Sequence, residues 1–314
     1  WDEWLLFHSD ANAVLSVDGS VISTADYQEI QKKLAQKHIQ ISLNYDLIGE
    51  IWEDRPDIPS DPLFELPLLY AGLSRPNKLK KLRDYMSKNF PEADYYLAAC
   101  LDDIAWLTNM RGHDNPLYPF FHAYILISKT KASLCTSLKK IPDSLQRSLQ
   151  EDGYELAEYD EIVQLLSGLE ENTAIYLDPF KIPYLLYQSL SGSVTIKEGM
   201  DCINYLKSRK SSAEQKNIRT ANIYECVAVA RLMKYIDDNA GKVPMNEYQI
   251  GQKLEEFRKI SSLYLQPANI PIVGFGENAA LPHYRPAKDT SSPIRAEGFL
   301  LFDVCAQYLC GTTD

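Results

Sequence analysis

Apolar positions change period along this chain, and each change predicts an element. Residues 25–36 carry apolar side chains at helical spacing behind Ser23 and Thr24, two cap-forming residues, which predicts an amphipathic helix. A turn at 19–22 leading into a short strand is expected before it. A strand at 39–43 and one or two helical turns at 47–52 are expected after it. These pieces are too few to enclose a core of their own, so residues 1–54 are expected to be the C-terminal part of a domain.

Pro56, Pro59, Pro62 and Pro67 then crowd residues 55–67. Each removes an amide donor and fixes φ, so residues 55–72 are expected to form an extended linker. From 73 to 206 the two periods take turns. Helices are predicted at 77–88, 101–107, 142–150, 159–168 and 180–190. Strands are predicted at 95–99, 123–127, 132–135, 173–177 and 193–196, with a hairpin through Ser128-Lys129-Thr130. Such alternation implies an α/β fold class.

Lys207 to Lys210 marks a second boundary. Ser211 and Glu214 have the spacing of a capping box, in which each side chain satisfies the other's exposed amide. They predict a helix to about residue 236 with Ile218, Ala221, Cys226, Val229 and Met233 as its apolar stripe. A helix at 247–260 and strands at 270–273 and 299–304 complete the pattern of residues 207–314. The run Phe299-Leu300-Leu301-Phe302 reads as a buried strand.

Composition narrows the function classes. The 314 residues are 45% apolar and 24% charged, the balance of a soluble globular chain, and no apolar run approaches a membrane span. A net charge of −11 with only short basic clusters, at 78–81 and 207–210, argues against nucleic acid as a partner. Cys100, Cys135, Cys202, Cys226, Cys305 and Cys310 form no CxxC pair and no framework spacing, which implies free thiols and a cytoplasmic setting. No basic segment followed by an apolar stretch opens the chain, so no signal peptide is read. Trp1 in place of Met, and the ordered-element composition of 311–314, lead to the expectation of a piece cut from a longer product.

Candidate chemistry lies between Asp303 and Asp314. A fold-back centred on Tyr308-Leu309 sets these two aspartates directly opposite each other, and Gly311 marks a bend close by. Opposed residues of an antiparallel pair share a face with Cβ atoms about 4.5–5.5 Å apart. Two carboxylates so placed repel, and a divalent cation between them removes the repulsion. Tyr-Leu is a poor two-residue turn, so a bulge can shift the register. On spacing alone, two ordinary aspartates remain the commoner reading. Gly274-Phe275-Gly276 does not extend to a dinucleotide fingerprint, and no phosphate-binding loop or Gly-x-Ser-x-Gly elbow is present.

The same segment resembles a known family. Phe299-Leu300-Leu301-Phe302-Asp303 through Gly311-Thr312-Thr313-Asp314 is similar to the stretch of pita-bread metallopeptidases that supplies their first two metal ligands, and Ala306-Gln307-Tyr308 looks like the three-domain Xaa-Pro aminopeptidases (aminopeptidase P). The run Gly276 to Tyr284 resembles that family's loop ending in His-Tyr, and Ile51 to Pro56 the end of its first domain. Leu101 to Gly112, continued through Asn115-Pro116 to Tyr124, resembles its middle domain. The resemblance thus covers essentially the whole chain, in order. It implies creatinase/prolidase-type α/β domains, the end of one at 1–54 and a second at 73–206, followed at 207–314 by the start of a pita-bread catalytic domain.

It further implies Asp303 as a chelator of one metal, Asp314 as a bridge between two, and His283 as the residue that positions substrate or moves a proton. Without the motif, His283 reads as a routine turn residue. The implied cofactors are two divalent ions, manganese first, with zinc or cobalt as substitutes. In the implied chemistry they activate a water that attacks the carbonyl between a peptide's first residue and a following proline. One His and two Glu ligands are implied beyond Asp314, so this chain by itself is expected to bind metal weakly or not at all and to lack peptidase activity. A homodimer is implied for the full-length form. A ligand-less binding module and a prolidase-like dipeptidase stay open as alternatives.

Two positions depart from the family pattern: Cys305 stands where Gly is usual, and Cys310 where Asp is frequent. Asp102, Asp103, Arg111 and His113 invite reading as a second site, but helix capping and domain packing account for them more simply.

Overall fold

Six short strands in residues 95–198 are rich in β-branched and aromatic residues, and they assemble the main sheet of the first of two units. The computed structural model describes residues 2–43 and 46–314. One unit comprises residues up to Glu65 with Ser74–Met110 and Phe121–Arg209, and the other Leu66–Leu73, Arg111–Phe120 and Lys210–Asp314.

The first unit opens with strands β1 (Val14–Ser16) and β2 (Gln40–Ser42), paired parallel around helix α1 (Thr24–Leu34). The short strand expected after residues 19–22 instead precedes them. Asp18 explains this: its carboxylate accepts from Ser20 and its carbonyl from the Val21 and Ile22 amides, so the backbone there is spent on a turn. Ser23 caps α1 through the Asp26 amide, and Ile30, Leu34 and Ile39 close a small core. The α1 N-terminus docks within this unit, where Thr24 donates through both its amide and its hydroxyl to the Ile182 carbonyl.

The main sheet uses β3 (Tyr95–Ala98), β4 (Tyr124–Ser128), β5 (Ala132–Cys135), β6 (Tyr154–Ala157), β7 (Ala174–Leu177) and β8 (Thr195–Glu198). Their order is β8-β7-β3-β4-β5-β6. The β3–β4 and β4–β5 pairs are antiparallel and the other three parallel. The hairpin through residues 128–130 is therefore present. Strand β6 was not predicted, because its Tyr-Glu-Leu-Ala alternation is short and follows directly on a helix and Gly153. Helices α2 (Arg75–Asn89), α3 (Leu101–Thr108), α4 (Asp143–Glu151), α5 (Glu161–Ser167), α6 (Tyr184–Gln188) and α7 (Cys202–Ser208) alternate with the strands. Leu97, Leu126, Ile162, Ile175, Leu177 and Leu186 form the core.

The second unit is organised by helices α8 (Ser212–Asn239) and α9 (Glu247–Arg258). Ser211 and Glu214 make the predicted capping box, and Asn246 with Gln249 makes a second one. The buried face of α8 differs from the predicted stripe. It runs Asn217, Ala221, Glu225, Ala228 and Leu232, whereas Cys226 and Met233 face solvent. Two polar residues hold inward positions because each has partners: the Asn217 amide donates to the Leu69 carbonyl, and Glu225 pairs with Arg258. Strands β9 (Tyr264–Pro267), β10 (Ile272–Phe275), β11 (Leu300–Asp303), β12 (Ala306–Tyr308) and β13 (Gly311–Thr312) complete the unit. Strand β9 was missed because a bulge between Tyr264 and Gln266 breaks its alternation.

Strand β11 is not buried as expected. It pairs with β10 in a two-stranded ribbon, with Leu300 and Phe302 packed inward while Leu301 is 39% and the preceding Phe299 86% exposed. Among the described residues no helix is long and apolar enough to cross a membrane.

Candidate metal centre

Strand β11 delivers Asp303 at its end, paired with Ile272 and on the same outward face as Leu301. The chain then leaves one sheet and enters another. At that step the Cys305 amide donates to the Asn269 side-chain oxygen (3.1 Å), and the Cys305 carbonyl accepts from Ala268 (3.0 Å). Strand β12 follows, held between β9 and β13.

The fold-back is shifted from the expected register. Tyr308 pairs with Gly311 and Gln307 with Thr312, which centres the turn on Leu309-Cys310 instead of Tyr308-Leu309. Thr313 continues the ladder: its amide donates to the Ala306 carbonyl (2.9 Å) and its hydroxyl accepts from the Ala306 amide (3.0 Å). Cys305, not Asp303, therefore lies across from Asp314, and its thiol donates to Asp314 Oδ1 at 3.4 Å. Asp303 reaches the same place from the end of β11, outside this ladder. One donor atom each from Asp303, Cys305 and Asp314 lie within 4.8 Å of one another. Burial, then the hydrogen bond and charge of Asp314, push the Cys305 thiol up to about 11.

Behind the hairpin sits a buried ionic network. Tyr308 donates to Glu225 (2.9 Å), which is gripped by the guanidinium of Arg258, itself 1% exposed. Arg258 also reaches Glu255 (2.7 Å), which accepts from Tyr264. Two helices and two strands are thereby tied at the back of the donor cluster. Burial, then the negative charge of Glu225 and the hydrogen bond to it, hold the Tyr308 phenol well above its ordinary range. None of Glu225, Glu255 or Arg258 stood out in the sequence; only an acidic residue on the inward face of α8 could have signalled the network.

His283 lies exposed in the loop after β10 and is not one of the three converging donors. Its loop is ordered by Glu247, a residue with no exposed surface. That carboxylate accepts from the Phe275 amide (2.7 Å), Asn278 Nδ2 (3.0 Å), the Ser292 amide (2.8 Å) and the Tyr284 hydroxyl (2.8 Å). Burial raises its pKa, but these four donors outweigh burial and hold it below the ordinary glutamate value. Glu247, unnoticed in the sequence, thus fixes the residue next to His283.

The acidic pair in α3 is structural. Asp103 is fully buried and paired with Lys181 (3.0 Å) and Lys207 (2.7 Å), and Asp102 also meets Lys207. Two ammonium groups already neutralise these carboxylates, which leaves the Cys100, Asp102 and Asp103 cluster unsuited to a cation. Arg111 and His113 belong to the other unit.

Comparison with known proteins agrees with this layout. The family described as Creatinase/Prolidase N-terminal domain matches residues 54–214, and Metallopeptidase family M24 matches residues 216–314. A probable Xaa-Pro aminopeptidase P of Sordaria macrospora is 29% identical over 329 aligned residues, covering 100% of this chain and 53% of that protein. One from Verticillium alfalfae is 30% identical over 330, with the same two coverages. The chain thus spans about half the length of the curated relatives it matches. Among solved structures, the X-prolyl aminopeptidase of Caenorhabditis elegans, described as a cytosolic enzyme with a di-nuclear active site, superposes with a TM-score of 0.91 at 22% identity over 99% of this chain and 52% of that one. The prolidase of Pyrococcus horikoshii reaches 0.55 at 24% identity, over 74% of this chain and 61% of that one. These likenesses establish a shared fold.

Proposed function

Because this chain belongs to the creatinase/prolidase and M24 metallopeptidase family, in its aminopeptidase P branch, we propose that it supplies the first two metal ligands of an enzyme that releases the N-terminal residue from peptides with proline in second position. One observation carries this reading: the M24-matched segment folds back so that Asp303 and Asp314, with the Cys305 thiol, converge within 4.8 Å.

The donor set fits divalent ions. Two carboxylates so close repel, and a cation offsets that repulsion. Asp303 and Asp314 would hold the ions, and as hard oxygen donors they suit manganese. When bound, a divalent pair supplies Lewis-acid polarisation of the scissile carbonyl and lowers the pKa of the attacking water. The chain's own residues do the rest. The hairpin ladder sets the spacing of the two carboxylates, and Glu247 steadies the loop from which exposed His283 would orient the peptide.

The proposed division is 1–54, 55–72, 73–206 and 207–314; family matches that begin at 54 and change over near 215 support its first and last boundaries. Six free thiols support a cytoplasmic setting, and a homodimer is proposed for the whole protein. The test uses the complete product of the gene, assayed on Xaa-Pro dipeptides and longer Xaa-Pro peptides with added manganese. Asp303→Asn and Asp314→Asn are each expected to lower kcat/KM by at least about a hundredfold. Wild-type rates from both variants would sink the proposal, and cleavage confined to dipeptides would favour a prolidase-like activity.

A further inference from the structure

We propose that Cys305 is itself a metal ligand and gives this site a preference for thiophilic ions of the zinc class over manganese. The inference rests on the reading of Asp303 and Asp314 as metal ligands and deepens it. Every feature that places Cys305 belongs to the fold. The Asn269 side chain and the Ala268 amide fix its backbone on either side of the peptide, where the chain crosses between sheets. The register centred on Leu309-Cys310 then puts Cys305, not Asp303, across from Asp314.

The spacing suits coordination. A tetrahedral ion with a sulfur ligand at about 2.3 Å and an oxygen ligand at about 2.1 Å holds the two donors about 3.6 Å apart. Cys305 Sγ and Asp314 Oδ1 are 3.4 Å apart, and Asp303 offers its oxygen within 4.8 Å of both. When the ion binds, the S–H proton that now points at Asp314 leaves to solvent and an Sγ–metal bond takes its place. Oxygen donors alone discriminate weakly between manganese and zinc, whereas a thiolate favours the softer ion. A glycine at position 305 would offer no such donor. Cys310, the other cysteine of the hairpin, is 4% exposed among Ala221, Ala306 and Tyr308 and stays in the core.

The test titrates the 314-residue chain with zinc, cadmium, cobalt(II) and manganese ions, each alone, and follows three signals. Cobalt is expected to give a near-ultraviolet sulfur-to-metal charge-transfer band that Cys305→Ala and Cys305→Ser lack. Zinc is expected to slow alkylation of Cys305, mapped by mass spectrometry, by about tenfold at concentrations where manganese leaves it unchanged. Exposed Cys226 serves as the unprotected internal control. Cys305→Ala is expected to weaken zinc and cadmium binding by about tenfold while manganese binding and the thermal midpoint stay as they were.

Equal zinc affinity in wild type and Cys305→Ala, with no charge-transfer band and no protection, overturns the role of Cys305. If Asp303→Asn and Asp314→Asn still weaken every ion in that case, the two-aspartate reading survives. If no ion binds the chain, the role of Cys305 falls; if zinc binds but those two variants change nothing, both readings fall together.

Discussion

Single side chains with many partners carry much of the second unit. Glu247 accepts from four donors and is held ionised below the ordinary glutamate range, even though burial works in the opposite direction. A carboxylate depressed in this way stabilises the fold fully above its unfolded pKa of about 4.3, and that contribution is lost as pH falls through the lower folded value. Glu247→Gln is expected to cost about 1–3 kcal/mol at pH 7 and to speed hydrogen exchange across residues 275–292. Thermal midpoints should show the gap between wild type and variant narrowing as the medium is acidified below pH 4; a gap that widens there contradicts the assignment. Arg258 is the second such residue. Arg258→Met leaves Glu225 buried without its cation and is expected to cost about 3–5 kcal/mol by denaturant unfolding. Adding Glu225→Leu should recover part of that loss, because the orphaned charge is gone.

Elements depend on close approach as much as on pattern. Strand β13 passes α8 at Gly311, where an added Cβ would lie 3.2 Å from the Ile218 backbone. Gly311→Ala is expected to lower stability by about 1–3 kcal/mol and to loosen the hairpin, seen as faster exchange at Ala306 and Thr313. Local sequence placed α8 through its capping box, the 128–130 hairpin through two apolar strands around a polar turn, and β11 through its apolar run, although not which faces of α8 and β11 are buried. It could not place features that arise from pairing. The inward positions of Asn217 and Glu225 depend on partners 148 and 33 residues away. Strand β12 is also paired with β9, a strand whose bulge hides its own alternation. The two aspartates were legible as a pair, but their geometry was not: the turn lies one residue later than the spacing suggested, and a cysteine took the facing place.

At the scale of the molecule, 314 residues match about half of each curated relative, and the donors found here are two aspartates and a thiol. The chain by itself is expected to release no residue from Xaa-Pro peptides and to give little or no heat when titrated with manganese in a calorimeter. Tight stoichiometric uptake of manganese would contradict that. The hairpin also has a consequence for how its lineage can vary. Extra residues at the Leu309-Cys310 tip can be absorbed by a longer loop that keeps both ladder pairs, whereas a single residue inserted between Thr312 and Asp314 turns the Asp314 carboxylate to the opposite face. Length variation should therefore gather at the tip and be excluded by selection from the stretch between Thr312 and Asp314.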